Sequence, residues 1–329
     1  MESGRDWVDR LQLLAALANG LRLDPSDLTG QPYAPSGDIQ ATVRAAAFRL
    51  RRHAAEGTAR PVGGIDLADL SCRTADLQLA ERSGDEYALA KAIPDVVAAT
   101  DHAASSVTSS GEGKQVSRIR AEAHAAAAGL MRRLGYKDLS WTLLHRLRAE
   151  ETGCPAVLVE EVRLLLDLGL AQRAADRALS GPPIPGLLFA AAVAHAVSGA
   201  PERADQKLTS AEALATEPRE HAKVQASRVA VAVESGAFDE AHELARSVDL
   251  TSLTPADSTE FLMLAATAAA RQGDVSTATA LLSDADSSAP LRFRLHPFAR
   301  DILAVLPSHA DRAGDIELLG GLSERAGTV

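Results

Sequence analysis

Gly111-Glu112-Gly113-Lys114-Gln115 sets two glycines beside a lysine, the raw material of a phosphate-binding loop. Such a loop needs a preceding strand, a glycine spaced further upstream and a Ser or Thr after the lysine to reach the metal. All three are missing, so a nucleotide site is excluded here. The chain has nine histidines. None forms His-Glu-x-x-His, and no Cys/His pair has zinc spacing. His145, His195, His221 and His242 fall in successive expected helices and read best as partly exposed or core-edge side chains. Glu150-Glu151 and Glu160-Glu161 occupy neighbouring helical positions, which point apart. They suit solvated surfaces better than an acid/base dyad. No Gly-x-Ser-x-Gly elbow occurs. The residues therefore point to a binding protein, not an enzyme, and to no cofactor or metal.

Composition narrows the partners. Net charge is −10 at neutral pH, whereas nucleic acid is bound by Lys and Arg neutralising phosphates. DNA is therefore not the expected partner of this portion, and Arg49, Arg51 and Arg52 read as a solvated helical stripe. Cys72 and Cys154 are the only cysteines, too few for a disulfide scaffold, so a reducing cytoplasmic setting is expected. No apolar run approaches the roughly 20 residues that span a bilayer. No apolar leader follows a basic stretch.

The elements that must position any site are helices. Ala, the best helix former, is over-used, and Val and Ile never alternate over a strand's length. The fold class expected is all-α. A first helix from Trp7 stops at Asn19-Gly20, Asp24-Pro25 restarts one more turn, and Gly30 stops it. Gln31 to Gly37 reads as a linker. Asp38 caps a helix to about Ala55, Gly57 to Gly64 is a break, and helices follow near 66–83 and 85–105. The second of these is expected to kink or restart at Pro94, and Thr108 to Gly113 to form a mobile loop.

From about residue 115, short helices alternate with glycine turns at Gly135, Gly169, Gly199, Gly236 and Gly273. Five residues after each stands a small residue: Ser140, Ala174, Ala204, Ala241, Ala278. A leucine follows, at Leu143 or Leu144, Leu179, Leu208, Leu244 and Leu281. Glycine ends one helix in a left-handed cap, the small residue lets the next helix pack back closely, and the leucine fills the groove between pairs. A period near 34 residues is that of the tetratricopeptide repeat (TPR). Gly236-Ala-Phe-Asp-Glu-Ala241 is close to its inter-helix signature. The alternative is a bundle of unrelated hairpins.

The run Leu21-Arg-Leu-Asp-Pro-Ser-Asp-Leu-Thr-Gly-Gln-Pro-Tyr33, with the helix before it, resembles the last two helices of the lambda-repressor-type helix-turn-helix (HTH) domain. Its wording is similar to regulators of high-GC Gram-positive bacteria. Glu2-Ser3-Gly4 matches the stretch that follows the recognition helix in that family. Asp85-Glu-Tyr-Ala-Leu-Ala-Lys-Ala-Ile-Pro-Asp95, Leu291 to Leu303, and Gly320 to Gly327 resemble the sensor region of the same regulators, the last as a short final helix. The resemblance implies an organisation of 1–33 as an HTH remnant, 38–114 as the N-terminal helical part of a sensor, and 115–329 as TPR-like repeats with capping helices. The architecture expected is thus a right-handed TPR-like solenoid preceded by the last two HTH helices. The helix that would enter the major groove is missing, so DNA is contacted only through the absent part of the HTH.

In a TPR-like solenoid the first helix of each pair lines the concave face. That register places Arg132, Arg163 and Lys223 as cations on a wall of small apolar residues, with Glu122 and Glu260 as anions at its ends. Phe189 and Met263 are its bulky anchors, and Thr267 lies beside Met263. These six, Arg132, Arg163, Phe189, Lys223, Met263 and Thr267, are the candidate ligand residues. The wall suits a short peptide or small signal molecule. The alternative is that these positions pack beneath the N-terminal helices. The functional expectation is the signal-sensing, homodimerising region of a cytoplasmic transcriptional regulator. The rival is a free-standing TPR-like adaptor that binds a protein.

Overall fold

The computed structural model describes residues 7–56, 66–106, 110–147 and 153–328. All regular structure among them is helical, so the chain is all-α: eighteen α-helices and two short 3-10 helices. Two compact units are formed. One comprises residues 1–30 with 165–329, the other residues 31–164.

The unit of residues 31–164 contains α3 (Asp38–Glu56), α4 (Leu67–Ser83), α5 (Glu86–Ser106), α6 (Ser110–Arg133), α7 (Lys137–His145) and most of α8 (Pro155–Asp167). Its centre is α5, which packs on α3, α4 and α6. Leu89, Ile93 and Val97 are buried along its length, at the spacing of one helical face. α5 runs unbroken through Pro94, correcting the expected restart. The surrounding helices bury Pro94 itself, so tertiary packing outweighs the lost hydrogen bond. α6 begins at Ser110, so Gly111 and Gly113 are helical rather than part of a mobile loop. The expected break at Gly57 to Gly64 lies outside the described residues.

The other unit holds α1 (Leu11–Leu21), α2 (Pro25–Thr29) and α9 (Ala171–Leu179), followed by α10 (Pro185–Val197), α11 (Pro201–Leu214), α12 (Pro218–Glu234), α13 (Phe238–Ala245), α14 (Pro255–Arg271) and α15 (Val275–Ser288). Helices α16 (Pro290–Arg294), α17 (Pro297–Val305) and α18 (Ala313–Ala326) close it. α10 packs on α11, α12 on α13 and α14 on α15, while α10, α12 and α14 pack on one another in sequence.

The hairpin turns share one geometry. Gly135, Gly169, Gly199, Gly236 and Gly273 all have φ between 73° and 87°, the left-handed region that glycine enters without penalty. The N–H after each glycine bonds a carbonyl five residues back: Tyr136 to Met131, Leu170 to Leu165, Ala200 to His195, Ala237 to Ala232 and Asp274 to Ala269. This is the Schellman closure that satisfies the orphan carbonyls of a helix end. Ser140, Ala174, Ala204, Ala241 and Ala278 are all buried. The leucine positions hold less evenly. Leu143, Leu144 and Leu208 are buried, but Leu179, the last residue of α9, is 51% exposed and Ala178 is buried instead.

Boundaries near the ends also move. α1 passes through Asn19-Gly20 and stops at Arg22, whose φ is 58°. α2 starts as expected behind an Asp24 capping box and ends at Gly30. The two units divide after Gly30, and the Gln31 amide donates to the Arg133 carbonyl at 2.9 Å. Residues 114 and 115 both lie within α6. The short final helix is the second half of α18, where buried Leu319, Leu322 and Ala326 hold Gly320-Gly321 helical.

Candidate functional site

The first turn of α1 has no cap of its own. Arg10, at its N-cap, makes no side-chain capping bond, and a helix start leaves backbone N–H groups without partners. Glu234, at the end of α12, supplies them. Its carboxylate accepts from Leu11 N at 3.0 Å and Gln12 N at 3.2 Å. Glu234 is 4% exposed. Burial pushes its carboxyl up to about 7, against the two N–H groups and Arg10, which favour the charge.

The residues ahead of α1 complete the contact. The Asp9 side chain is fully buried and pairs with both Arg10 and Arg271. Arg271 also donates to the Trp7 carbonyl and lies over the Trp7 ring at 4.2 Å, a cation–π contact. Trp7 joins a core cluster with Phe261, Met263, Phe293 and Ile302. The Val8 N–H faces Asp301, whose carboxyl burial raises to about 6, against that N–H and Arg300.

The segment crosses one turn after another in reverse chain order. A Cβ on Gly169 would meet Ala15 at 3.1 Å, and one on Gly236 would stand 2.7 Å from an Arg10 nitrogen. Gly199 lies opposite Gln12. At these turns glycine provides both the left-handed backbone and room for the segment. Residues 7–21 are therefore a strap held by Glu234, Asp9, Arg271 and Asp301. None was singled out by the sequence reading. The signal available was a carboxylate or guanidinium two residues before a turn glycine, at Glu234 and Arg271.

A second cluster lies in the unit of residues 31–164. Asp101, on α5, bonds Arg120 Nε at 2.6 Å, His53 Nε2 at 2.8 Å and His124 Nε2 at 2.9 Å. His124 Nδ1 lies 2.9 Å from the Leu143 carbonyl. Burial opposes the Asp101 charge, but bonds from His124, His53 and Arg120 hold its carboxyl well below the usual carboxylate range. This knot ties α3, α5, α6 and α7 together.

The six expected ligand residues are engaged internally. Arg132 and Arg163 converge on Glu160, at 3.3 and 2.7 Å. Burial works against the Glu160 charge, yet Arg132, Arg163 and Arg133 keep its carboxyl below the ordinary value. Lys223 pairs with Asp257 at 2.7 Å. Phe189 is buried among Leu188, Leu208 and Val224. Met263 lies in the cluster that holds Trp7, and the Thr267 hydroxyl donates to the Met263 carbonyl at 2.9 Å.

Of the four helical histidines, His145 is exposed and stacks on Trp141 at 3.9 Å, and His221 bonds Glu212 at 2.7 Å. His195 is buried, and burial with nearby Lys207 and Arg203 lowers its pKa. Among the described residues no group of three or more His, Cys, Asp or Glu is placed to hold a metal. No described helix is long and apolar enough to cross a membrane. No protein-family model matches the chain, and no curated protein matches it.

Proposed function

We propose that this chain is the signal-sensing, homodimerising TPR-like region of a cytoplasmic helix-turn-helix transcriptional regulator. The observation that carries the reading is the strap. The segment whose sequence resembles the end of an HTH domain is bonded along successive hairpin turns through Glu234 and Arg271. A regulator must pass a change in its sensor to its DNA-reading helices. A strap that touches several turns does this mechanically, because any repacking of the hairpins moves α1 and the domain joined ahead of it. The common Schellman turns and buried small residues support the repeat reading. A homodimer supplies the two-fold symmetry of palindromic half-sites.

The input is a short peptide or small molecule. The groove register still nominates Arg132, Arg163, Phe189, Lys223, Met263 and Thr267, now by exchange of partners. An anionic ligand would displace Glu160 from Arg132 and Arg163, at the cost of leaving a buried carboxylate to rearrange. No catalytic role is assigned.

The test is to compare DNA binding by this chain with that by a chain extended upstream of Met1 in the same reading frame, using the DNA ahead of its own gene. Specific binding by the extended chain alone is the expected result. Upstream sequence with no helix-turn-helix pattern, and no binding by either chain, would favour the adaptor.

A further inference from the structure

We propose that the solvent face of α3 is a dimer contact, through which two copies of this chain pair antiparallel about a two-fold axis at Ala45. The inference rests on the regulator reading only for the expectation that two copies meet, and it names the surface. α3 packs on α5 and α7 and buries Val43, Ala46, Ala47 and Leu50. The side opposite such a face is ordinarily polar in a surface helix. Here it carries Ala41, Ala45 and Phe48, all exposed. Phe48 is 68% exposed, the highest value of any large apolar side chain among the described residues. Asp38 and Arg52, also exposed, continue the same stripe at its two ends. From Asp38 to Arg52 the stripe runs about 21 Å along the helix.

Charge decides the occupant. The stripe is acidic at its start and basic at its end, and Asp38 and Arg52 stand equally far from Ala45. Antiparallel pairing about Ala45 therefore brings Asp38 of each copy to Arg52 of the other. Small Ala45 lets the two backbones approach at the axis. Phe48, one turn further on, then reaches Ala41 of the second copy. Each contact is made twice, as an isologous interface requires. Arg49 and Arg51 flank the stripe and already pair with Asp95 and Asp138, while Arg44 donates to the Tyr136 hydroxyl. The stripe itself is charge-balanced, so it suits its own copy better than an acidic partner. Arg52 bonds its own Glu56 at 2.7 Å. Both are exposed, and such a surface pair is weak enough to exchange for Asp38 of the second copy.

Sedimentation velocity of the full chain from about 1 to 200 µM reads the association. Wild type is expected to pass from monomer to dimer within that range, because one helix face is at the small end of stable interfaces. F48E is expected to raise the dissociation constant roughly tenfold or more. D38K and R52E should each weaken the dimer, and D38K/R52E, which exchanges the two charges, should recover most of the loss. Melting temperatures check that each variant is folded, and recovery in the double variant separates a direct contact from a folding defect. An undisturbed dimer in F48E, or a double variant no better than the single ones, overturns the α3 surface and leaves the homodimer standing. Wild type that stays monomeric throughout overturns both, whether or not a labelled poly-glutamate peptide binds the stripe. The regulator reading is then decided by its own DNA comparison.

Discussion

Asp101 shows how one buried carboxylate organises four helices. Its three partners come from α3 and α6, and Arg120 and His124 carry the network on to the Arg146 and Leu143 carbonyls of the α7 region. D101N is expected to destabilise the protein by roughly 3–5 kcal/mol at neutral pH, because it leaves the Arg120 charge buried without its counter-ion. The pH dependence has a definite sign. The folded carboxyl is depressed, so its contribution is present above its unfolded value of about 3.9 and is lost as the pH falls below it. Thermal melts below about pH 4 should therefore show a shallower loss in D101N than in wild type. Ala241, fully buried behind the Gly236 turn, gives a steric test. A241W is expected to lower stability by about 1–3 kcal/mol or more. An unchanged melting temperature would mean that the helix pair does not meet at this residue.

At the level of elements, α1 and the hairpin turns depend on each other. The helix borrows its N-terminal cap from Glu234, and the turns present glycine where the strap passes. Gly236 and Gly273 separate the two roles of glycine. Both have left-handed φ, but a Cβ on Gly273 meets nothing within 4 Å, whereas one on Gly236 meets Arg10. Replacing either by Ala should cost roughly 1–2 kcal/mol of backbone strain. Only G236A should also raise hydrogen exchange in residues 7–21; equal exchange in both variants would place the strap away from that turn. D9A should act through Arg271, whose guanidinium loses its buried partner. The expected effect is a loss of roughly 3–5 kcal/mol, read as a lowered denaturation midpoint with faster exchange at the start of α1.

At the scale of the whole molecule, the chain builds one unit from its two ends and the other from the stretch between them. Deleting residues 1–30 removes Trp7 from the core cluster of Phe261 and Phe293 and the cap partner of Glu234. It is expected to lower hydrogen-exchange protection across α12 and α14 while leaving the Asp101 network of α3, α5 and α6 protected. Equal loss in both units would mean that they fold as one cooperative body. The net charge of −10 sets a further expectation. Gel-shift titration of this chain with duplex DNA at moderate salt should give no sequence-specific complex.

The helical class, the five glycine turns and the small residues behind them were legible in the residues alone. These are local matters: glycine's access to positive φ, alanine's helix propensity and the close approach that a small side chain permits act within a few positions of the chain. Tertiary structure decided where distant charges met. Nothing near Glu234 in sequence announces that it caps a helix more than two hundred residues away. Likewise, Arg132, Arg163 and Lys223 gave no sign that Glu160 and Asp257 would take them as partners. Pro94 ended no helix, because the helices around α5 bury it; at Gly20 the helix runs one residue further, to Leu21. A helix periodicity marks the face that will be buried but not what will bury it. The strap answers that question here, because α1, too short to fold alone, packs along the hairpin turns through Leu11, Gln12 and Ala15.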